Sequence, residues 1–239
     1  MFWFNHLHKI INVLQYFYLA RYKIIGRENL PPDVSGAIAV TNHTCFLDPP
    51  LVGLSLPEGT RWKLFARKNF ENNPFAGWLL RQSGAIFIDR DNVDRHALKQ
   101  GLDALKEGYT FGLAPEGTRS KETGKIKKAR NGAAYLAVKA DTVVIPIGIT
   151  NGHVWNKNWR RGRVTHVTAT IGQPIRMPDL GRRVRTADLD AYSHYIMIHI
   201  AHILPPEYHG YYADSPALAA LQKGEDPWPH CLAAENVSP

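Results

Sequence analysis

"GAIAVTNHTCFLDPPLVGLS", residues 36–55, joins an apolar run to a helix-like stretch through a short polar loop. Ala37, Ile38, Ala39 and Val40 are apolar without alternation, as a strand buried on both faces requires, while residues 51–56 carry helical spacing. Residues 36–41 are therefore expected as the first core strand, and the rest of the chain repeats this pattern. Residues 62–66, "AIFIDR", "YTFGLAP", "TVVIPIGIT" and "RVTHVTATIG" read as further strands. "NNPFAGWLLRQSG", entered through Pro74 and closed by Gly84, reads as a helix, as do residues 92–107, "NGAAYLAVKA" and residues 187–203. Strands that alternate with helices, several of them apolar throughout, predict an α/β fold: a central, mostly parallel sheet flanked by helices. From Pro205 onward proline and glycine are frequent, so residues 206–239 are expected to form an irregular C-terminal tail.

The loop inside the quoted stretch carries the chemistry. His43 and Asp48 are five positions apart. On one continuous helix they would lie about 140° apart and could not face each other. His43 is thus placed in the strand-to-helix loop and Asp48 at the helix start, where Pro49 and Pro50 are tolerated. Two readings of Asp48 remain open. It can cap the helix, its carboxylate on backbone N–H groups, or it can accept Nδ1–H of His43, fixing the tautomer and leaving Nε2 as a base. A second stretch, "APEGTRS" at 114–120, also follows a strand. Gly117 lets the backbone approach a ligand, and Arg119 is a fixed cation suited to a phosphate. Lys121, Lys125, Lys127, Lys128 and Arg130 follow, opposed only by Glu122. Arg90, after "GAIFID", and Arg67 with Lys68, in "ARKNF", are further cations at strand ends.

The chain of 239 residues reads as one domain, or as one domain with an extension. Its formal charge of +8 points to an anionic partner. The basic residues lie in scattered loops and no nucleic-acid-binding motif is present, so nucleic acid is not the expected partner. Two cysteines, Cys45 and Cys231, are too few for a disulfide framework and fit a reducing compartment. Trp3, Leu7, Ile10, Leu14, Phe17 and Tyr18 recur at helical spacing and predict an N-terminal amphipathic helix, followed by Arg21, Lys23 and Arg27. Such a helix either covers the core or lies in a membrane interface. No uninterrupted apolar run is long enough for a conventional transmembrane helix. There is no G-x-S-x-G elbow, Walker loop, G-x-G-x-x-G or H-E-x-x-H, and no zinc-ligand cluster of histidine with cysteine.

"NHTCFLDP", "GAIFIDR", "APEGTRS" and "VVIPIGI", in this order, resemble the four sequence blocks of the glycerolipid acyltransferase family. The resemblance covers roughly residues 24–175, with "GRENLP" and "NPFAGWLLRQSG" as further similar segments. It implies an α/β acyltransferase domain, here 36–205, behind a membrane-interface segment at 1–35, held at the cytoplasmic face of a membrane in peripheral or monotopic fashion. It implies that His43 and Asp48 form a catalytic dyad. It also implies that Glu116, Gly117, Thr118 and Arg119 belong to an acceptor-phosphate site, with Arg90, Arg67 and Lys68 nearby. The implied substrates are a lysophospholipid, above all lysophosphatidate, and an acyl thioester of coenzyme A or acyl-carrier protein. No metal or organic cofactor is called for. Ala114 stands where the family usually carries a larger residue before the proline.

Overall fold

The computed structural model describes residues 20–82, 84–89 and 95–235. Seven strands form one sheet: β1 (Ala20–Ile25), β2 (Ile38–Thr41), β3 (Trp62–Arg67), β4 (Ala85–Ile88), β5 (Thr110–Leu113), β6 (Val144–Thr150) and β7 (Thr165–Ile171). The helices are α1 (Asp48–Ser55), α2 (Pro74–Gln82), α3 (Arg95–Lys106), α4 (Gly132–Ala140), α5 (Trp155–Trp159), α6 (Asp188–His202), α7 (Pro216–Gln222) and α8 (Trp228–Glu235). The sheet order is β1-β7-β6-β2-β5-β3-β4. Every pairing is parallel except β6 with β7. This is the expected α/β layer fold.

β2, between β5 and β6, is buried along its whole length. Its side chains alternate between two apolar layers, as strand geometry dictates. Ile38 and Val40 enter a core with α3, α4 and α6, while Ala39 faces a second core with α1. Strands enclosed on both sides need no polar face, which explains their unbroken apolar runs. Pro146 sits inside β6 without breaking the sheet. Its missing N–H falls between the end of the β7 ladder at Ile147 and the isolated bridge of Val144 with Ile175.

Because β2, β3, β4 and β5 are parallel, the loops after them share one sheet edge. That edge receives the segments bearing His43, Arg67 and Lys68, and Glu116. β7 runs antiparallel to β6, and β1 parallel to β7, so both of these strands begin at that same edge.

Two boundaries differ from expectation. Ala20–Ile25, placed above in an interface segment, is an edge strand. Its alternating exposure, with Tyr22 and Ile24 packed against the core, follows the period of two in "RYKII". Residues 206–235 are not irregular: they build α7 and α8, and Tyr208, Tyr212, Leu218 and Cys231 are buried in the main core. The prolines there start helices, with Pro216 at the first helical position, instead of breaking them. The amphipathic helix expected within residues 1–19 and the N-terminal turn of 92–107 lie outside the described residues. No helix among the described residues is long and apolar enough to cross a membrane.

Candidate active site

The local fold delivers His43 through its neighbour. Beyond Thr41 the Asn42 side chain takes over from the backbone: its amide donates to Ile149 O at 2.9 Å, and its Oδ1 accepts Ile149 N–H at 2.7 Å. The amide thus mimics one more ladder residue while the main chain turns out of the sheet. His43 is next, and both its peptide groups are held by the "EGTRS" loop after β5. Its N–H donates to Glu116 Oε1 at 2.7 Å, and its carbonyl accepts Ser120 N–H at 2.7 Å.

The His43 ring meets Asp48, with Nδ1 2.8 Å from Oδ2. Asp48 is 1% exposed and the His43 side chain 14%. Asp48 also receives Thr44 N–H at 2.6 Å, Cys45 N–H at 2.9 Å and the Thr44 hydroxyl at 2.8 Å, with the Cys45 thiol at 3.4 Å. With Oδ2 already accepting two backbone N–H groups, Nδ1 is the donor in this contact, and in the neutral ring Nε2 is then the nitrogen with the lone pair. The capping reading of Asp48 is corrected here: its backbone donors come from Thr44 and Cys45 in the loop before α1, not from the helix's first turn. The reason is local. Pro49 and Pro50 have no N–H to cap, and the first helical bond runs from Leu51 N–H to Leu47 O at 3.1 Å.

His43 and Asp48 line an open cleft between α1 and strands β2, β3 and β5. Its other walls are mostly apolar: Val52, Trp62, Leu64, Phe65 and Leu113. Gly53 and Gly112 flank the Trp62 ring, where an added Cβ would sit 3.1 and 3.4 Å from it. A histidine–carboxylate pair at the mouth of an apolar cleft can abstract a proton from a bound hydroxyl while an alkyl chain lies beside it.

The second expected group divides. Glu116 is 3% exposed and turned inward, its Oε2 accepting Lys127 N–H at 2.9 Å while Oε1 holds His43. Burial pushes its carboxyl up to about 7, against the pull of the His43 and Lys127 N–H groups. Through these two N–H groups it braces the histidine loop. Gly117 turns the loop at φ 69°. Thr118 is exposed and Arg119 half-buried. No side chain among the described residues hydrogen-bonds or ion-pairs with the Arg119 guanidinium; only its carbonyl is used, by Lys127 Nζ at 2.9 Å. Arg67 and Lys68 are exposed at the end of β3, next to β5 on the same edge. Arg90 lies outside the described residues. Asn42, Thr44 and Ser120 were not singled out by sequence, although each sits inside a quoted block.

Cys45 is buried. Burial and the Asp48 charge beside it push its thiol well above the usual range. Among the described residues no three His, Cys, Asp or Glu side chains are grouped to hold a metal ion.

Comparison with known proteins places this arrangement. The family profile described as Acyltransferase matches residues 21–150. A chloroplast 1-acyl-sn-glycerol-3-phosphate acyltransferase of Arabidopsis thaliana is 31% identical over 158 residues, 64% of this chain and 43% of that protein. The protein of that activity name from Bacillus subtilis is 27% identical over 66% of this chain and 75% of its own length. One from Chlamydomonas reinhardtii is 38% identical over 52% of this chain and 37% of its own. The chain thus spans less than half of the plant and algal relatives. The crystal structure of a 1-acyl-sn-glycerophosphate acyltransferase from Thermotoga maritima has the same fold, with TM-score 0.62 at 24% identity, covering 84% of this chain and 78% of that one.

Proposed function

Because the chain belongs to the acyltransferase family, matched over residues 21–150, we propose that it moves a fatty acyl group from a thioester to the free hydroxyl of a lysophospholipid, with lysophosphatidate as the acceptor and phosphatidate as the product. The observation that carries the reading is the His43 Nδ1 to Asp48 Oδ2 contact of 2.8 Å at the mouth of an apolar cleft.

In this mechanism the acceptor phosphate binds Arg119, with Arg67 and Lys68 adding positive potential along the same edge. Nε2 of His43 takes the hydroxyl proton as the oxygen attacks the thioester carbonyl. Asp48 stabilises the imidazolium that forms. The tetrahedral oxyanion collapses, the C–S bond breaks, and the imidazolium returns the proton to the departing thiolate. General-base catalysis of this kind contributes ~10²–10⁴-fold, and fixing both substrates contributes more. Transfer is direct: Cys45, the only nucleophile in the loop besides Thr44, is buried, disfavours its thiolate and points its thiol at Asp48. The acyl donor is a thioester of coenzyme A or of acyl-carrier protein, and no metal or organic cofactor enters the scheme. The protein works at the cytoplasmic surface of a membrane, anchored by residues 1–19.

The test is a panel: purified protein with lysophosphatidate, other lysophospholipids and a lyso-ornithine lipid, each with both thioester donors. Phosphatidate formation from lysophosphatidate is expected. Vesicle binding with no transfer to any acceptor would replace the enzyme with a lipid-binding protein.

A further inference from the structure

The corner between β6 and β7 has no role in the proposed chemistry, yet its composition is unusual. It contains α5 and the turn after it, "WNKNWRRGRV", residues 155–164. Trp159 is 44% exposed and Val164 42%. Lys157, Arg160, Arg161 and Arg163 are all exposed, and none has an acidic partner among the described residues. The nearest acidic residues along the chain are Asp141 and Asp179. Exposed apolar side chains interleaved with uncompensated cations are the composition of a surface that meets a membrane interface.

The position of this corner says what covers it. β6 ends and β7 begins at the sheet edge that carries His43. Trp155 stacks on Trp159 with ring centroids 6.0 Å apart and meets Phe46 edge-on at 4.8 Å. Phe46, itself 46% exposed, lies between His43 and Asp48 in the chain. Gly152 lies against Thr44 and Cys45 so closely that a side chain there would collide. Ala20 pairs with Thr165 and is buried with Cys45, Leu47 and Trp155, so residues 1–19 join the described chain beside this same corner. The aromatic groups, the cations, the chain's N-terminal attachment and the opening to His43 thus share one edge.

We propose that the α5–β7 corner docks on an anionic lipid bilayer, with Trp159, Val164 and Phe46 entering the interface and Arg160, Arg161 and Arg163 meeting lipid phosphates. Tryptophan prefers the interfacial layer, and arginine covers apolar surface while its head stays with phosphate. Docked so, the edge bearing His43 faces the headgroup layer, and an acceptor lipid reaches the cleft without crossing water. The inference rests on the lipid-acceptor reading above and adds a second contact to the N-terminal one.

The test uses the full chain and two readouts. Binding to vesicles of phosphatidylglycerol with phosphatidylcholine, and to pure phosphatidylcholine vesicles, is measured as a partition coefficient by sedimentation without substrate. Each basic residue near an anionic surface contributes roughly fivefold, so Arg160→Gln/Arg161→Gln is expected to weaken partitioning to anionic vesicles about 30-fold. Both positions are exposed, so the thermal midpoint should not change. Turnover with a short-chain acceptor in monomeric solution should stay at the wild-type level, while turnover on bilayer-embedded acceptor falls. Equal partitioning of variant and wild type overturns the proposal, because residues 1–19 would then suffice. Equal loss on neutral vesicles also overturns it. Absence of transfer by the wild type in both formats refutes the acyltransferase reading and leaves the binding result intact.

Discussion

Replacing Asp48 by asparagine separates charge from geometry at this site. Oδ2 accepts the His43 ring and the Thr44 and Cys45 N–H groups, while Oδ1 accepts only the Thr44 hydroxyl and the Cys45 thiol. An asparagine with its oxygen in the place of Oδ2 keeps all three N–H donors. Its amide then faces a hydroxyl that can rotate to accept it and a thiol that is a weak acceptor. Asp48→Asn should therefore fold, at a cost of about 1–2 kcal/mol. The missing element is the negative charge beside the imidazolium. A unit pair about 4 Å apart is worth ~4 kcal/mol at an effective dielectric of 20. That is roughly a thousandfold in turnover. Asp48→Ala differs: it leaves several buried donors without an acceptor and should lose about 3–5 kcal/mol of stability as well. The assay is release of free thiol from an acyl thioester with lysophosphatidate as acceptor, alongside thermal unfolding. Turnover of folded Asp48→Asn within tenfold of wild type would refute the idea that this carboxylate stabilises a proton on His43.

The remaining positions give sharper contrasts. Arg119→Ala should raise KM for lysophosphatidate by roughly 10–150-fold, the worth of a charge-assisted hydrogen bond; an unchanged KM removes Arg119 from the phosphate site. Gly152→Ala should lower turnover without touching substrate, because its Cβ would collide with Thr44 Oγ1 and sit 3.3 Å from Cys45 Sγ; wild-type turnover would show that the loop has slack. Glu116→Gln should slow the reaction, since one amide N–H must face the His43 or Lys127 N–H. It should also change the pH dependence of stability. The folded carboxyl is held up to about 7 from 4.5, so its contribution is complete below 4.5 and fades as pH rises toward 7. That decline, up to about 3 kcal/mol, should vanish in the variant's unfolding curves; an identical pH slope in both proteins contradicts it. Cys45→Ala should keep turnover within a few-fold, and an inactive but folded variant would point to an acyl-thiol intermediate.

The sheet was legible because its central strands are apolar throughout and its helices are punctuated by Pro74, Gly84 and Gly108. The meeting of the His43 and Glu116 loops was legible because their blocks follow strands that are parallel neighbours. β1 has only a weak alternation and gains its place by pairing with β7, more than 140 residues away. α7 and α8 are short, and the prolines near their starts look like breakers until the apolar residues behind them are seen to reach the core. Glu116 lies in a loop that reads as phosphate-binding, and only the fold reveals that its carboxylate reaches back to His43 N–H across 73 positions. Asp48 looked like a helix cap because a proline-started helix gives no sign that it needs none. Asn42, Thr44 and Ser120 act through main-chain partners supplied by distant strands and loops, which local spacing does not encode.

The claim at the centre of this account is that His43 Nε2 takes the proton from the acceptor hydroxyl. Turnover of purified His43→Ala on lysophosphatidate with an acyl thioester tests it most directly, with circular dichroism to verify the fold. The account predicts a folded protein whose turnover falls by at least ~10²–10⁴-fold, the usual worth of a general base. Near-normal turnover by that folded variant would contradict it.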